Sequence, residues 1–185
     1  MKTEYRFAEA LKSMMSEYPL DDISVTALCK KCRVNRQTFY YHFHDIYDLL
    51  TLVFLNEEIP NVHESTTIKE MVSYIYKYYI KNAGFIDATV NSAGKDLFQE
   101  FMYNTCYITF MRFVEQVPEN KKLKPNDSKA IARFYALAYS NSIVYYLSTF
   151  KQKSFDGLMM CFCFENDQNV VEAVRKFAAI RSKRW

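Results

Sequence analysis

Glycine and proline are scarce in this chain: 185 residues hold 3 of the first and 4 of the second. Sheets of short strands need turn residues at short, regular intervals, so this scarcity argues against a loop-rich sandwich and for long packed helices. Long apolar runs are missing too. The longest, Leu158 to Phe164 (LMMCFCF), is seven residues, against the roughly 20 that span a bilayer. The first residues, MKTEYRFAEAL, carry charge through every turn and lack the apolar stretch of a secretion signal. The 5 cysteines are odd in number and scattered, as expected of reduced thiols in a cytoplasmic protein. No stretch alternates like a strand, and there is no internal repeat or low-complexity tract. No glycine-rich phosphate loop, catalytic carboxylate pair or nucleophile elbow is present, so neither an enzyme nor a cofactor is expected.

What the chain has is aromatic side chains, 15 Tyr and 15 Phe, and half of its residues are hydrophobic. The periodicity predicts an all-α chain of about nine helices. Phe7, Ala8, Leu11, Met14, Met15 and Tyr18 recur at helical spacing and stop before Pro19. Asp45 is positioned to cap a helix through Ile46, Leu49, Leu50, Val53 and Phe54. Residues 57–65, with Pro60 and little periodicity, read as a boundary. The expected domains are therefore 1–56 and 57–185. Beyond the boundary, Thr66 or Thr67 caps a helix ending before Gly84, and an irregular or helical piece follows. A long helix then covers about Lys95 to Val117. Asp127 or Ser128 caps a second long helix, and a last one covers about Gln168 to Arg181, with Val170, Val174, Phe177 and Ala178 on one face. The run at Leu158–Phe164 is compatible with a strand, a buried helical turn or an interface.

Residues 24–43, SVTALCKKCRVNRQTFYYHF, organise the rest. Ser24 and Thr26 are N-cap candidates, and Val25, Leu28, Cys29 and Cys32 share one helical stripe. CRVN breaks the pattern for a tight turn. A second short helix follows, with Val34, Phe39 and Phe43 apolar and its remaining residues facing outward. The net charge of +3 is mild, but its distribution is not. Lys30, Lys31, Arg33 and Arg36 lie in a stretch, Cys29 to His44, that contains no acid. Two short helices joined by a tight turn, the second rich in donors, describe a helix-turn-helix. The basic tail RKFAAIRSKRW reads either as a second such patch or as a solvated helix end whose cations suit the dipole. Cys29 and Cys32 form C-x-x-C, but no second pair supplies the four ligands of a structural zinc. Both read as core, as do Cys161 and Cys163, and no metal is expected. His63 stands alone in a loop and reads as surface.

The stem FAEAL, the segment ISVTALCKKC, the turn into VNRQTFYYHF and the opening DIYDLL together resemble the N-terminal domain of the TetR/AcrR family of bacterial transcriptional repressors. The likeness is strong over roughly the first 55 residues and beyond them is a plan of helices only. It implies that the second helix of the motif enters the major groove of duplex DNA. Arg36 is then suited to the O6 and N7 of a guanine, and Gln37 to an adenine. Tyr41 is expected on a thymine methyl or a phosphate. Thr38, Tyr40 and His42 are expected on phosphate oxygens, with partial core packing the other reading of Tyr40. Thr26 would present its hydroxyl and a helix start to a phosphate. Two departures stand out. The family's turn glycine is Arg33 here. A left-handed backbone there costs a residue with a Cβ about 1 kcal/mol, unless the turn takes another shape. Lysines common in the family are replaced by His44 and Ile46, which implies a missing phosphate contact and weaker or less salt-dependent binding.

The second domain carries aromatics dense enough to fill a core or line a cavity. By the resemblance, an effector binds between its middle helices, and Phe101, Tyr107, Phe110, Tyr135 and Tyr139 are the expected contacts. The last two long helices would pair across a two-fold axis and set two reading helices roughly 34 Å apart. The implied protein is a homodimeric repressor released from operator DNA by a small molecule. The alternative is control by a partner protein, as for family members that regulate dihydroxyacetone utilisation.

Overall fold

The computed structural model describes residues 3–162 and 167–182. These hold ten α-helices and no strand: α1 Thr3–Met15, α2 Val25–Cys32, α3 Arg36–His42, α4 Ile46–Leu55, α5 Ile68–Lys81, α6 Ala83–Val90, α7 Lys95–Gln116, α8 Pro125–Thr149, α9 Phe155–Met160 and α10 Asp167–Ser182. The all-α expectation holds. The helix beyond the expected nine is α9, inside the apolar run that periodicity left open. That run is helical to Met160 and then turns at Cys161 and Phe162; Cys163 and Phe164 lie outside the described residues. So do Lys183 to Trp185 of the basic tail. No helix among the described residues is long and apolar enough to cross a membrane.

Helix starts follow local hydrogen bonding. Ser24 and Asp45 cap α2 and α4, accepting from the backbone N–H of Ala27 (3.1 Å) and Asp48 (2.8 Å). Of the two threonines before α5, Thr67 is the cap and accepts from Glu70 N at 3.1 Å. Glu70 reaches back to the Thr66 N–H and hydroxyl, both at 2.8 Å. Those bonds hold the Glu70 carboxyl below its usual range. The start of α8 differs from the expected one. Pro125 takes the first helical position, where its missing N–H costs nothing. Asp127 then sits inside the first turn and accepts from Lys124 N at 3.2 Å, and Ser128 donates to Asn120.

The chain divides into two compact units, residues 1–58 with 79–101 and residues 59–78 with 102–185. The division falls within α5 and within α7. In the first unit Phe7 and Leu11 of α1, Leu28 of α2, Phe39 of α3 and Leu49 and Leu50 of α4 are completely buried. Phe54, Phe85, Phe98 and Phe101 extend this core, with Phe54 within 5.8 Å of each of the other three rings. Lys12 pairs with Glu57 at 2.7 Å and lies 5.2 Å from the centre of the Phe85 ring.

In the second unit α10 buries Val170, Val174 and Ala178, while Phe177 is 38% exposed. Phe177 therefore lies off the buried stripe on which its spacing had placed it. Asp167 Oδ1 accepts from the Ile68 N–H at 2.7 Å, joining the starts of α10 and α5. Tyr146 holds the α9 entry, with its hydroxyl donating to Ser154 O and accepting from Ser154 N. His63 is not the isolated surface residue expected. It is half-buried, with Nδ1 3.1 Å from Thr109 Oγ1. The Thr109 hydroxyl also lies 3.0 Å from Thr105 O, its helical acceptor.

One glycine is required by close approach. A Cβ on Gly84 would stand 2.7 Å from Ser16 O and 2.9 Å from Ser16 Cα, both backbone atoms at the end of α1. Alanine gains up to about 1 kcal/mol over glycine in a helix, but relieving this clash costs about 1–3 kcal/mol. Gly84→Ala is therefore expected to lower the urea midpoint, where helix propensity alone would raise it.

Candidate nucleic-acid interface

The segment of α2, turn and α3 is built from its caps inward. Helix α2 ends at Arg33, whose backbone is left-handed at φ 53°, ψ 46°. The N–H groups of Arg33 and Val34 bond back to Lys30 O (3.1 Å) and Cys29 O (3.0 Å). This pairing closes the carbonyl end of a helix and needs a left-handed residue between the two bonds. The turn thus keeps the shape that glycine would favour, and Arg33 bears the strain. Arg6 adds a side-chain bond, donating from Nη2 to Cys32 O at 2.6 Å, and Cys32 Sγ donates to Arg6 O at 3.6 Å. Burial pushes the Cys29 and Cys32 thiols up, which suits packing better than reactivity. Buried Cys106 is pushed up to about 12. No cluster of three or more His, Cys, Asp or Glu among the described residues could hold a metal ion.

Helix α3 is only seven residues long and starts on Asn35, a cap missed in the sequence although asparagine before Arg-Gln-Thr is a usable signal. Asn35 Oδ1 accepts from Thr38 N at 2.8 Å and from Thr38 Oγ1 at 2.9 Å. The helix is held by Phe39, which is fully buried and edge-on to Phe7 with ring centres 5.3 Å apart. Phe43 follows in extended backbone, 6.0 Å from Phe7.

With Phe39 inward, Arg36, Gln37, Tyr40 and Tyr41 are exposed, Tyr41 by 84%. Arg36 donates to the Tyr40 hydroxyl at 3.4 Å, and Tyr40 rests edge-on against Phe39. Thr26 is exposed on the first turn of α2. The other two expected contacts are placed differently. Thr38 is half-buried, and its proton goes to Asn35. His42 is half-buried, with Nδ1 3.3 Å from Glu4 Oε1 of α1. Of the basic side chains, Lys31 donates to Ser13 Oγ at 2.8 Å, while Lys30 and Arg33 are exposed. At α4, Tyr47 donates to Asp21 at 3.0 Å. Burial and that carboxylate hold its phenol above its usual range, so it stays protonated.

The five expected effector contacts fall into three groups. Phe101 belongs to the first unit, against Phe54 and Phe98. Tyr107 is half-buried and stacked on Tyr103 at 5.9 Å. Phe110, Tyr135 and Tyr139 do come together, with Phe110 5.5 Å from Tyr135 and 5.0 Å from Tyr139. Phe162, which sequence reasoning did not single out for this place, lies flat on Tyr139 at 4.3 Å and 9°. Tyr135 also lines an open cleft of about 430 Å³ with Asn169, Glu172, Ala173, Lys176 and Phe177.

The geometry is that of a helix-turn-helix with an exposed, acid-free second helix. Residues 66–159 match the family of TetR-type transcriptional regulators described as "Transcriptional regulator C-terminal region", and the chain belongs to this family. No curated protein matches the sequence. Among solved structures, one similar to this chain is the dihydroxyacetone kinase operon activator DhaS. The TM-score is 0.51 and the identity 15%, over 98% of this chain and 96% of that one. At that identity the likeness concerns the fold.

The strain at Arg33 has a measurable consequence. A left-handed residue with a Cβ costs about 1–2 kcal/mol, and glycine loses about 0.5–1 kcal/mol of extra chain entropy on folding. Arg33→Gly is therefore expected to stabilise the protein by roughly 0.5–1 kcal/mol in urea unfolding. A loss of stability would mean that the Arg33 side chain does more than occupy the turn.

Proposed function

We propose that this regulator binds operator DNA as a homodimer through α3. The single observation that supports this most is the exposed row Arg36, Gln37, Tyr40 and Tyr41, free of acids and held outward by buried Phe39. Arg36 and Gln37 take base edges, and Tyr41 a thymine methyl or a phosphate. Thr26, Thr38, Tyr40 and His42 serve the DNA backbone. For Thr38 and His42 this requires exchanging the bonds to Asn35 and Glu4. We assign DNA binding to residues 1–56, and control and dimerisation to 57–185.

The dimer uses the outer faces of α8 and α10. Phe134 is 67% exposed, Leu137 48%, Tyr145 61% and Ile180 53%. Apolar side chains so exposed on two long helices suit a two-fold contact that buries the same patch twice. Control follows one of two routes. In the first the protein is a repressor, and a small molecule held near Phe110, Tyr135 and Tyr139 shifts the spacing of the two α3 helices. The shift can be no larger than the ligand's preference for one spacing over the other. In the second a partner protein acts on the C-terminal residues. One observation favours it: the rings expected to line a pocket pack on one another.

Two measurements test the core of this reading. In binding to the region upstream of its own gene, Arg36→Ala with Gln37→Ala is expected to remove about 1–3 kcal/mol of sequence discrimination per lost base contact. Equal affinity of the intact protein for that duplex and for random duplexes would defeat the DNA assignment. In sedimentation, the intact protein is expected at twice its chain mass of 21.9 kDa, and Phe134→Glu with Leu137→Glu at the single mass. A single mass for the intact protein at micromolar concentration would remove the dimer.

A further inference from the structure

Arg36 and Tyr40 form one assembly on the outer side of α3. Arg36 Nη2 donates to the Tyr40 hydroxyl at 3.4 Å, and the guanidinium carbon lies 5.8 Å from the centre of the Tyr40 ring. Each contact is weak alone, a long hydrogen bond and a cation–ring approach near its limit. Together they select one arrangement of a side chain that otherwise samples many. The four-residue spacing brings the two onto one helical face. Tyr40 is itself braced on one side. Its ring stands edge-on to Phe39 at 5.5 Å and 86°, and Phe39 is fully buried. Order therefore passes from the core through two rings to the guanidinium.

The chemistry of the phenol adds a second role. Its oxygen accepts from Arg36, and its own proton remains to be donated from a side chain 51% exposed. A guanidinium only donates and a phosphate oxygen only accepts. A hydroxyl placed between them bonds both at once, which a phenyl ring cannot do. We propose that Tyr40 is a positioning residue for base reading, its oxygen holding Arg36 while its proton goes to a DNA phosphate. The contact that sets register and the contact that reads sequence are then made as one unit. This rests on α3 reading duplex DNA.

The test uses a duplex selected from a randomised library with the wild-type protein, and the same duplex substituted at each base pair in turn. Binding is compared for wild type, Tyr40→Phe, Arg36→Ala and the double variant. Phenylalanine keeps the ring on Phe39, so the fold is retained, and the urea midpoint checks this. Tyr40→Phe is expected to reduce discrimination about 3- to 10-fold at the base pair whose reading Arg36→Ala abolishes, the scale of one side chain left to be ordered on binding. In the Arg36→Ala background the same change is expected to leave discrimination untouched. A uniform loss on every duplex, equal in both backgrounds, would make Tyr40 a phosphate contact only and overturn the proposal. Unchanged discrimination in Tyr40→Phe would also overturn it. If the wild-type protein selects no duplex over another, the DNA assignment itself fails, and the wild-type measurement alone reveals that.

Discussion

The ring of Phe39 against Phe7 is the contact on which the first unit depends. A seven-residue helix is too short to persist in water on its own propensity. Full burial of a phenylalanine contributes about 1.5–3 kcal/mol, and an edge-on aromatic pair about 0.5–1.5 kcal/mol more. Those terms hold α3 to α1 and fix its rotation about its own axis. With Phe39 inward at 0% exposure, Gln37 and Tyr41 fall on the opposite side of the helix and Arg36 and Tyr40 on its flank, and all four are exposed. The buried ring and the exposed row are two sides of one constraint.

Polar contacts then refine what the rings position. Asn35 at the start of α3, Arg33 in the turn and Arg6 across the end of α2 each satisfy helix-end groups that would otherwise be bare. The strain at Arg33 is tolerated because two backbone bonds flank it. An arginine at that turn adds a cation where glycine would add only ease of folding. Arg33 stays exposed, so the site trades about a kilocalorie of strain for a charge.

The second unit shows the same material used differently. Phe110, Tyr135, Tyr139 and Phe162 fill space with one another, while Phe134, Leu137 and Tyr145 on the same α8 face outward. An aromatic-rich helix of this kind has two apolar faces. A single chain covers one of them and leaves the other exposed.

Much of this was legible in the sequence. The 3.6-residue period marks apolar stripes without reference to distant parts of the chain, so most of the helices and the exposure of Arg36, Gln37, Tyr40 and Tyr41 could be read from spacing, while α9 and the half-burial of Thr38 and His42 could not. Ser24 and Asp45 were readable as caps because capping is a contact over three residues. The tertiary structure decided what spacing cannot carry. Glu4 with His42, His63 with Thr109 and Phe162 on Tyr139 join residues 38 to 46 positions apart, or bring a loop ring into a helix core. Phe177 and Phe101 were misplaced or unplaceable for the same reason. Period tells that a face is apolar, but only packing tells which neighbour covers it, because that depends on how far every other helix has turned.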